Sequence, residues 1–119
     1  DDDGRLEMLV AHENSPAALL KVEPPCGHWL KFFFRGRQSN RRGINCRITL
    51  KVGPNTYLQE LCGGTSYSAT HQPTLIFGLG DWTQPCTATV RWPSGLVQTI
   101  ENLAVDRTVL LDESNASRR

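Results

Sequence analysis

A strict alternation of apolar and polar residues constrains the fold of this chain more than any other feature. From Ile44 to Val52 every second side chain is apolar, and a second apolar row runs through Leu30, Phe32 and Phe34. Successive side chains of a strand point to opposite faces, so both patterns predict half-buried strands. Short apolar runs separated by Gly and Pro turns continue to Leu111, without apolar repeats at helical spacing. We therefore predict an all-β fold, an antiparallel β-sandwich of about seven strands with short turns.

Breaks in this pattern predict the domain organisation. Pro24-Pro25 cannot continue a strand ladder, so a boundary is expected there. Residues 1–25 then form a linker and the end of a preceding unit, and residues 26–112 form the sandwich. The polar residues 113–119 are expected to be a flexible tail.

Charge and hydropathy exclude two classes of protein. A net charge of +1 and a pI near 7.9 argue against a dedicated nucleic-acid binder. No apolar run approaches the roughly 20 residues of a membrane-spanning helix. One basic cluster contains Arg35, Arg37, Arg41 and Arg42. It is interpreted either as a solvated loop or as a patch for an acidic partner or glycan.

Four dispersed cysteines, none in a CxxC pair, favour disulfides over a zinc ribbon. Cys46 and Cys62 lie equally far from Pro54, the expected centre of a hairpin turn, so they are predicted to pair across it. Cys26 and Cys86 would then pair by elimination. Two such bonds indicate an oxidising compartment. The alternative is that all four are reduced and that the buried ones act as small apolar side chains.

No constellation of residues predicts catalysis. His12, His28 and His71 lie in unrelated segments, and Cys62 lacks the strand–turn–helix context of a nucleophile elbow. We expect no enzymatic activity and no cofactor bound by these residues. Aromatic side chains are better candidates for binding, because they dominate interaction hot spots. Three are singled out: Trp82, expected to be exposed because it lies in a loop beside Asp81 and ahead of Pro85; Tyr67, also in a loop; and Phe33 on the outward row of its strand.

The motifs between Trp29 and Ile100 resemble the ASPIC/UnbV domain family in order and spacing. The matching stretches are Trp29-Leu30, Gly36 with Ser39-Asn40-Arg41, Gly43-Ile44, Glu60-Leu61, Gly63-Gly64 with Ser66-Tyr67, Phe77-Gly78-Leu79-Gly80, and Arg91-Trp92-Pro93-Ser94-Gly95. The chain departs from the family pattern at Asn45 and Cys46, where Gly and Ala are usual. Ile76 stands where a histidine commonly precedes the Phe-Gly-Leu-Gly motif.

The opening residues resemble the end of an FG-GAP or VCBS-type propeller repeat, whose loop binds calcium. Asp1, Asp3 and Glu7 match the later acidic positions of that loop. Alternating hard oxygen ligands with a glycine at the turn suit calcium, so the resemblance implies a calcium site in the full-length protein. The residues present here are expected to bind it weakly or not at all.

Together these resemblances imply a secreted, periplasmic or surface protein. The chain is expected to be a non-catalytic binding or scaffolding module that contacts a protein or matrix partner and, in cis, an upstream propeller. The alternative is a carbohydrate-binding module that uses its loop aromatics.

Overall fold

The computed structural model describes residues 5–117, and these residues form an almost purely β structure. Its strands are β1 (Glu7–Val10), β2 (Ala18–Lys21), β3 (His28–Arg35), β4 (Arg47–Val52), β5 (Asn55–Glu60), β6 (Thr74–Gly80), β7 (Cys86–Arg91), β8 (Val97–Leu103) and β9 (Arg107–Asp112). A single turn of 3-10 helix, Glu113–Asn115, follows β9. The prediction of an all-β fold is confirmed. No helix among the described residues could cross a membrane.

Seven of the strands form two sheets that enclose one core. The first sheet has the order β6-β3-β9 and the second has the order β5-β4-β7-β8. Alternate residues of both sheets point inward and form a single buried cluster, which includes Phe32, Ile48 and Val90. Phe32 meets Phe77 edge to face, with ring centroids 5.8 Å apart. The alternation seen in the sequence is therefore the inner face of a sandwich.

The sandwich contains one parallel pair, which the prediction of an antiparallel fold did not include. The chain leaves the second sheet after β8 and adds β9 to the first sheet alongside β3. Leu30 is opposite Arg107 and Arg35 is opposite Asp112, so the two strands run in the same direction. Because they end together, the residues after β3 and after β9 lie side by side.

Strands β1 and β2 form a separate antiparallel hairpin. Glu7 is opposite Lys21 and Val10 is opposite Ala18. Neither strand pairs with the two larger sheets in the described part of the chain. The hairpin precedes Pro24 and Pro25, where the sequence predicted a boundary.

The register between β4 and β5 explains why the predicted Cys46–Cys62 disulfide is absent. Val52 is opposite Asn55, so the turn has two residues and is centred half a residue before Pro54. This shift makes Leu61, not Cys62, the partner of Cys46, and the Leu61 amide donates to the Cys46 carbonyl at 2.9 Å. Cys46 and Leu61 are buried while Cys62 points outward. Because a one-residue slip reverses the face of a side chain, the Cys46–Cys62 bond cannot form.

All four cysteines are free thiols in the structure, so the predicted Cys26–Cys86 bond is also absent. Cys86 is buried in the core, whereas Cys26 is exposed on the segment that leads into β3. Burial raises the pKa of the Cys46 thiol to about 12, and Glu113 adds to the effect. Cys46 and Cys86 act as small apolar residues of the core.

Candidate binding surfaces

A buried carboxylate lies where the two sheets meet. Glu113 directly follows β9, and its side chain is 1% exposed. Its Oε2 accepts hydrogen bonds from three consecutive backbone amides, those of Arg37, Gln38 (2.7 Å) and Ser39 (2.9 Å). Its Oε1 accepts from the hydroxyls of Ser39 (2.7 Å) and Ser94 (2.6 Å). Both carboxylate oxygens are therefore satisfied by the protein itself.

These hydrogen bonds keep Glu113 ionised despite its burial. Burial opposes the charge, but donors from Ser94, Ser39 and the Arg37 backbone outweigh it and lower the pKa of Glu113 to about 2. Ser39 belongs to the loop after β3, and Ser94 belongs to the turn between β7 and β8. The carboxylate thus fastens a loop of the first sheet to a turn of the second.

The prediction of a flexible tail from residue 113 does not describe Glu113–Ser117. Besides the buried carboxylate, the Ser117 amide donates to the Val97 carbonyl at 3.0 Å, and the Val97 amide donates to the Ser117 carbonyl at 2.8 Å. The polar composition of this segment concealed its role, because its acidic side chain is buried by polar partners from distant segments.

All four residues of the arginine cluster are exposed, and two of them also pair with Asp112. The Arg37 guanidinium donates to Asp112 at 3.2 and 3.4 Å, and Arg35 lies 3.6 Å from the same carboxylate. Hydrogen bonds from Ser114, followed by those from Arg37, hold the pKa of Asp112 well below its usual range. Arg41 and Arg42 are exposed in the same loop. Arg37 therefore helps to hold β9 in place, although the side chains of Arg35 and Arg37 also remain more than half exposed.

The three aromatic candidates have different environments. Trp82, predicted to be exposed, is half-buried and packs against the core, with its ring over Gly53. Phe33 is half-buried on the outer face of the first sheet, where the Lys31 ammonium lies 5.1 Å from its ring centroid. Tyr67 is 97% exposed, within a short bridged turn between Ser66 and Ala69. Only Tyr67 presents a whole aromatic side chain to solvent.

The acidic residues predicted to bind calcium are only partly described. Asp1 and Asp3 lie outside the described residues, and Glu7 forms an ion pair with Lys21 at 2.8 Å. Residues 5–117 contain no group of three or more His, Cys, Asp or Glu side chains placed to hold a metal ion.

One polar contact, between His28 and Asp106, was not predicted from the sequence. His28 Nδ1 lies 2.6 Å from Asp106 Oδ2, although the residues are 78 positions apart. Asp106 lies in the turn between β8 and β9, and its other oxygen accepts the Trp29 amide at 3.2 Å. A surface cavity of about 370 Å³ opens beside this pair and is also lined by Cys26 and Arg5. The parallel pairing of β3 and β9 brings these residues together, and no local motif reveals that pairing.

The fold and these surfaces define a small all-β module with a separate N-terminal hairpin. The chain belongs to the ASPIC and UnbV family, whose sequence profile matches residues 36–118. This confirms the family predicted from the motifs, and the match extends through Glu113 and the turn that follows β9. No curated protein and no solved structure matches the chain significantly.

Proposed function

We propose that this chain is a non-catalytic, extracytoplasmic binding and scaffolding module of a larger protein that contains a β-propeller. The observation that carries the proposal is the distribution of exposed apolar side chains. Leu6, Met8, Leu20 and Val22, all in or beside the β1–β2 hairpin, are between 53% and 63% exposed. Large exposed apolar patches are typical of interaction surfaces.

The register of the hairpin places these side chains on one face. Side chains alternate along a strand, so Leu6 and Met8 share a face with their cross-strand neighbours Leu20 and Val22. We call this the apolar hairpin face; it also includes Val10 and Ala18. The opposite face carries the Glu7–Lys21 ion pair and also two exposed leucines, Leu9 and Leu19. Both faces of the hairpin are therefore largely apolar, and the apolar hairpin face is the one without a charged side chain.

A hairpin of this kind is not expected to be stable on its own. Two strands bury too little surface for independent stability, and an apolar face requires a packing partner. Two strands of a propeller blade would meet both requirements, which supports the resemblance of residues 1–25 to an FG-GAP or VCBS-type repeat. The extracytoplasmic location is proposed from the same resemblance alone. The cysteines do not support it, because all four thiols are free and form no disulfide.

Hydrogen exchange tests the scaffolding role. We would compare this chain with the protein encoded by the whole gene, following the amides of β1 and β2 by mass spectrometry. Packing of the apolar hairpin face in the longer protein should slow exchange in the hairpin by at least tenfold. The β4–β5 hairpin, which is already part of the sandwich, serves as the internal control. Equal exchange of β1 and β2 in both proteins would contradict the proposal.

Carbohydrate binding is the second candidate, and the exposure of Tyr67 favours it. Its loop, residues 62–73, contains no Asp, Glu, Lys or Arg and offers several hydroxyl groups. A glycan array would show a hit that Tyr67→Ala abolishes and Tyr57→Ala retains, since Tyr57 lies on an edge strand elsewhere. Absence of any hit, or equal loss in both variants, would exclude a Tyr67 sugar site.

A further inference from the structure

An unpaired strand, β5, lies at one edge of the second sheet. We propose that two copies of this chain associate through β5, edge to edge and antiparallel, so that their second sheets join into one continuous sheet. β5 is the terminal strand of the order β5-β4-β7-β8, and none of the other strands between residues 5 and 117 pairs with its outer edge. The inference goes beyond the proposed scaffolding function and does not depend on it.

The hydrogen bonds beside the β4–β5 hairpin show which backbone groups face this edge. The Leu61 amide donates to the Cys46 carbonyl at 2.9 Å, so Leu61 directs its backbone toward β4. Successive residues of an antiparallel strand alternate in this respect. Thr56, Leu58 and Glu60 therefore direct their amide and carbonyl groups away from β4. These groups form a template to which another extended segment can pair.

The edge of β5 lacks the usual protection against such pairing. Natural edge strands commonly contain Lys, Pro or a β-bulge, and β5 contains none of these. It has instead two exposed apolar side chains, Leu58 (60%) on the outer face and Tyr57 (42%) on the inner face. The edge of β8, in contrast, is partly covered, because Ser117 exchanges two backbone hydrogen bonds with Val97.

Symmetry and chemistry select one register for the contact. Two identical antiparallel strands pair about a two-fold axis, which closes the assembly at two copies. An axis at Leu58 places this residue opposite its own copy and places Thr56 opposite Glu60 of the second copy, so all three outward residues are paired. An axis at Glu60 would instead oppose two carboxylates. An axis at Thr56 would place Leu58 opposite Pro54, which has no amide to donate.

The charges of the second sheet are compatible with an axis at Leu58. Glu60 forms an ion pair with Arg47 of its own copy at 2.8 Å. Lys51 is opposite Thr56 on the same face of the sheet, so it would lie one strand away from Glu60 of the second copy. Each carboxylate would then lie between cations of both copies. At the centre of the contact, the two Leu58 side chains would cover each other, which removes apolar surface from water.

The small size of the contact makes the expected dimer weak. One pair of six-residue strands buries less surface than the roughly 800 Å² per partner of a standard interface. We therefore expect a dissociation constant between about 10 µM and about 1 mM.

Sedimentation equilibrium over the same range of protein concentration tests the proposal. The parent chain should shift from monomer to dimer. Leu58→Lys should remain monomeric, because it opposes two ammonium groups at the axis and adds a lysine to the edge. Leu110→Lys is the matched control, since Leu110 is 54% exposed on β9 at an edge of the other sheet, and it should dimerise like the parent. Circular dichroism would verify that both variants are folded.

Hydrogen exchange followed by NMR gives a local measurement on the parent chain. At high concentration the amides of Thr56, Leu58 and Glu60 should exchange at least about twofold more slowly than in dilute protein, because they become bonded across the contact. The amides of Tyr57 and Gln59 already face β4 and should not change. The proposal is overturned if the parent stays monomeric at about 1 mM, or if Leu58→Lys still dimerises, as it would through the apolar hairpin face. Loss of the dimer in Leu110→Lys, or slowing without this alternation, would overturn it as well.

Discussion

Ser94 donates a 2.6 Å hydrogen bond from its hydroxyl to the buried carboxylate of Glu113. The first residue lies in the turn between β7 and β8, and the second follows β9. Ser39 completes the arrangement, because its hydroxyl binds the same carboxylate oxygen and also accepts the Ser94 amide at 3.1 Å. Hydrogen bonds to one carboxylate thus join three segments that are distant in sequence. Removing the charge of that carboxylate should therefore lower the stability of the fold.

Replacing Glu113 with Gln should destabilise the domain by about 2–3 kcal/mol. The glutamine amide is itself a donor, so it would leave some of the buried backbone donors of Arg37, Gln38 and Ser39 without an acceptor. Urea denaturation followed by tryptophan fluorescence measures the change. Glu101→Gln, at an exposed position of β8, is the control and should have little effect. A Glu113→Gln variant as stable as the parent would refute the structural role of this carboxylate.

Acid should reveal the same interaction. The pKa of Glu113 is about 2 in the folded state, below its ordinary value of 4.5, so its contribution to stability is present above pH 4.5 and is lost as pH falls through about 2. The lowered pKa of Asp112 acts in the same direction. The free energy of unfolding should therefore decline below pH 4.5, and the decline should be shallower in Glu113→Gln. Identical pH profiles for the two proteins would contradict the assignment.

The tight turn between β4 and β5 should not tolerate a side chain at Gly53. Its φ of 56° is unfavourable for other residues, and an added Cβ would lie 2.4 Å from the Trp82 ring. We expect Gly53→Ala to cost more than the roughly 1–2 kcal/mol of a left-handed conformation alone. Gly95→Ala isolates that backbone contribution, because Gly95 has a φ of 88° but open space at its Cβ position. Equal losses of stability would show that Trp82 does not restrict the turn.

Alkylation should divide the cysteines into two pairs. Under native conditions, Cys26 and Cys62 should react quickly with iodoacetamide because they are exposed. Cys46 and Cys86 should react slowly, since burial excludes the reagent and raises the pKa of both thiols. Peptide mass spectrometry with timed quenching gives the order. A disulfide-linked peptide from the unreduced protein would contradict the free thiols of the structure.

The sequence predicts where the strands of this fold lie better than it predicts which strands pair with one another. Alternation identified β4 and the inner row of β3, because burial on one face leaves a periodic signal at each position. The parallel pairing of β3 with β9 has no such signal, so the contacts that depend on it, His28 with Asp106 and Ser39 with Glu113, could not be foreseen.

Small geometric details account for the other differences. A turn centred half a residue earlier than expected turned the predicted partner of Cys46 outward. Trp82 was predicted to be exposed because it lies in a loop beside Asp81 and ahead of Pro85, yet its ring packs over Gly53 in a distant turn. In both cases the deciding contact lies outside the local window that a sequence pattern describes.

The position of β9 has a consequence for how the protein folds during synthesis. Strand β3 is the first strand of the sandwich to leave the ribosome, yet Leu30 pairs with Arg107, which emerges much later. Until then one edge of β3 is open, and the amides after it lack the carboxylate of Glu113. Pairings this distant in sequence slow folding, and an unpaired apolar strand is prone to aggregate. Chaperone dependence of the nascent chain should therefore persist until β9 has been synthesised.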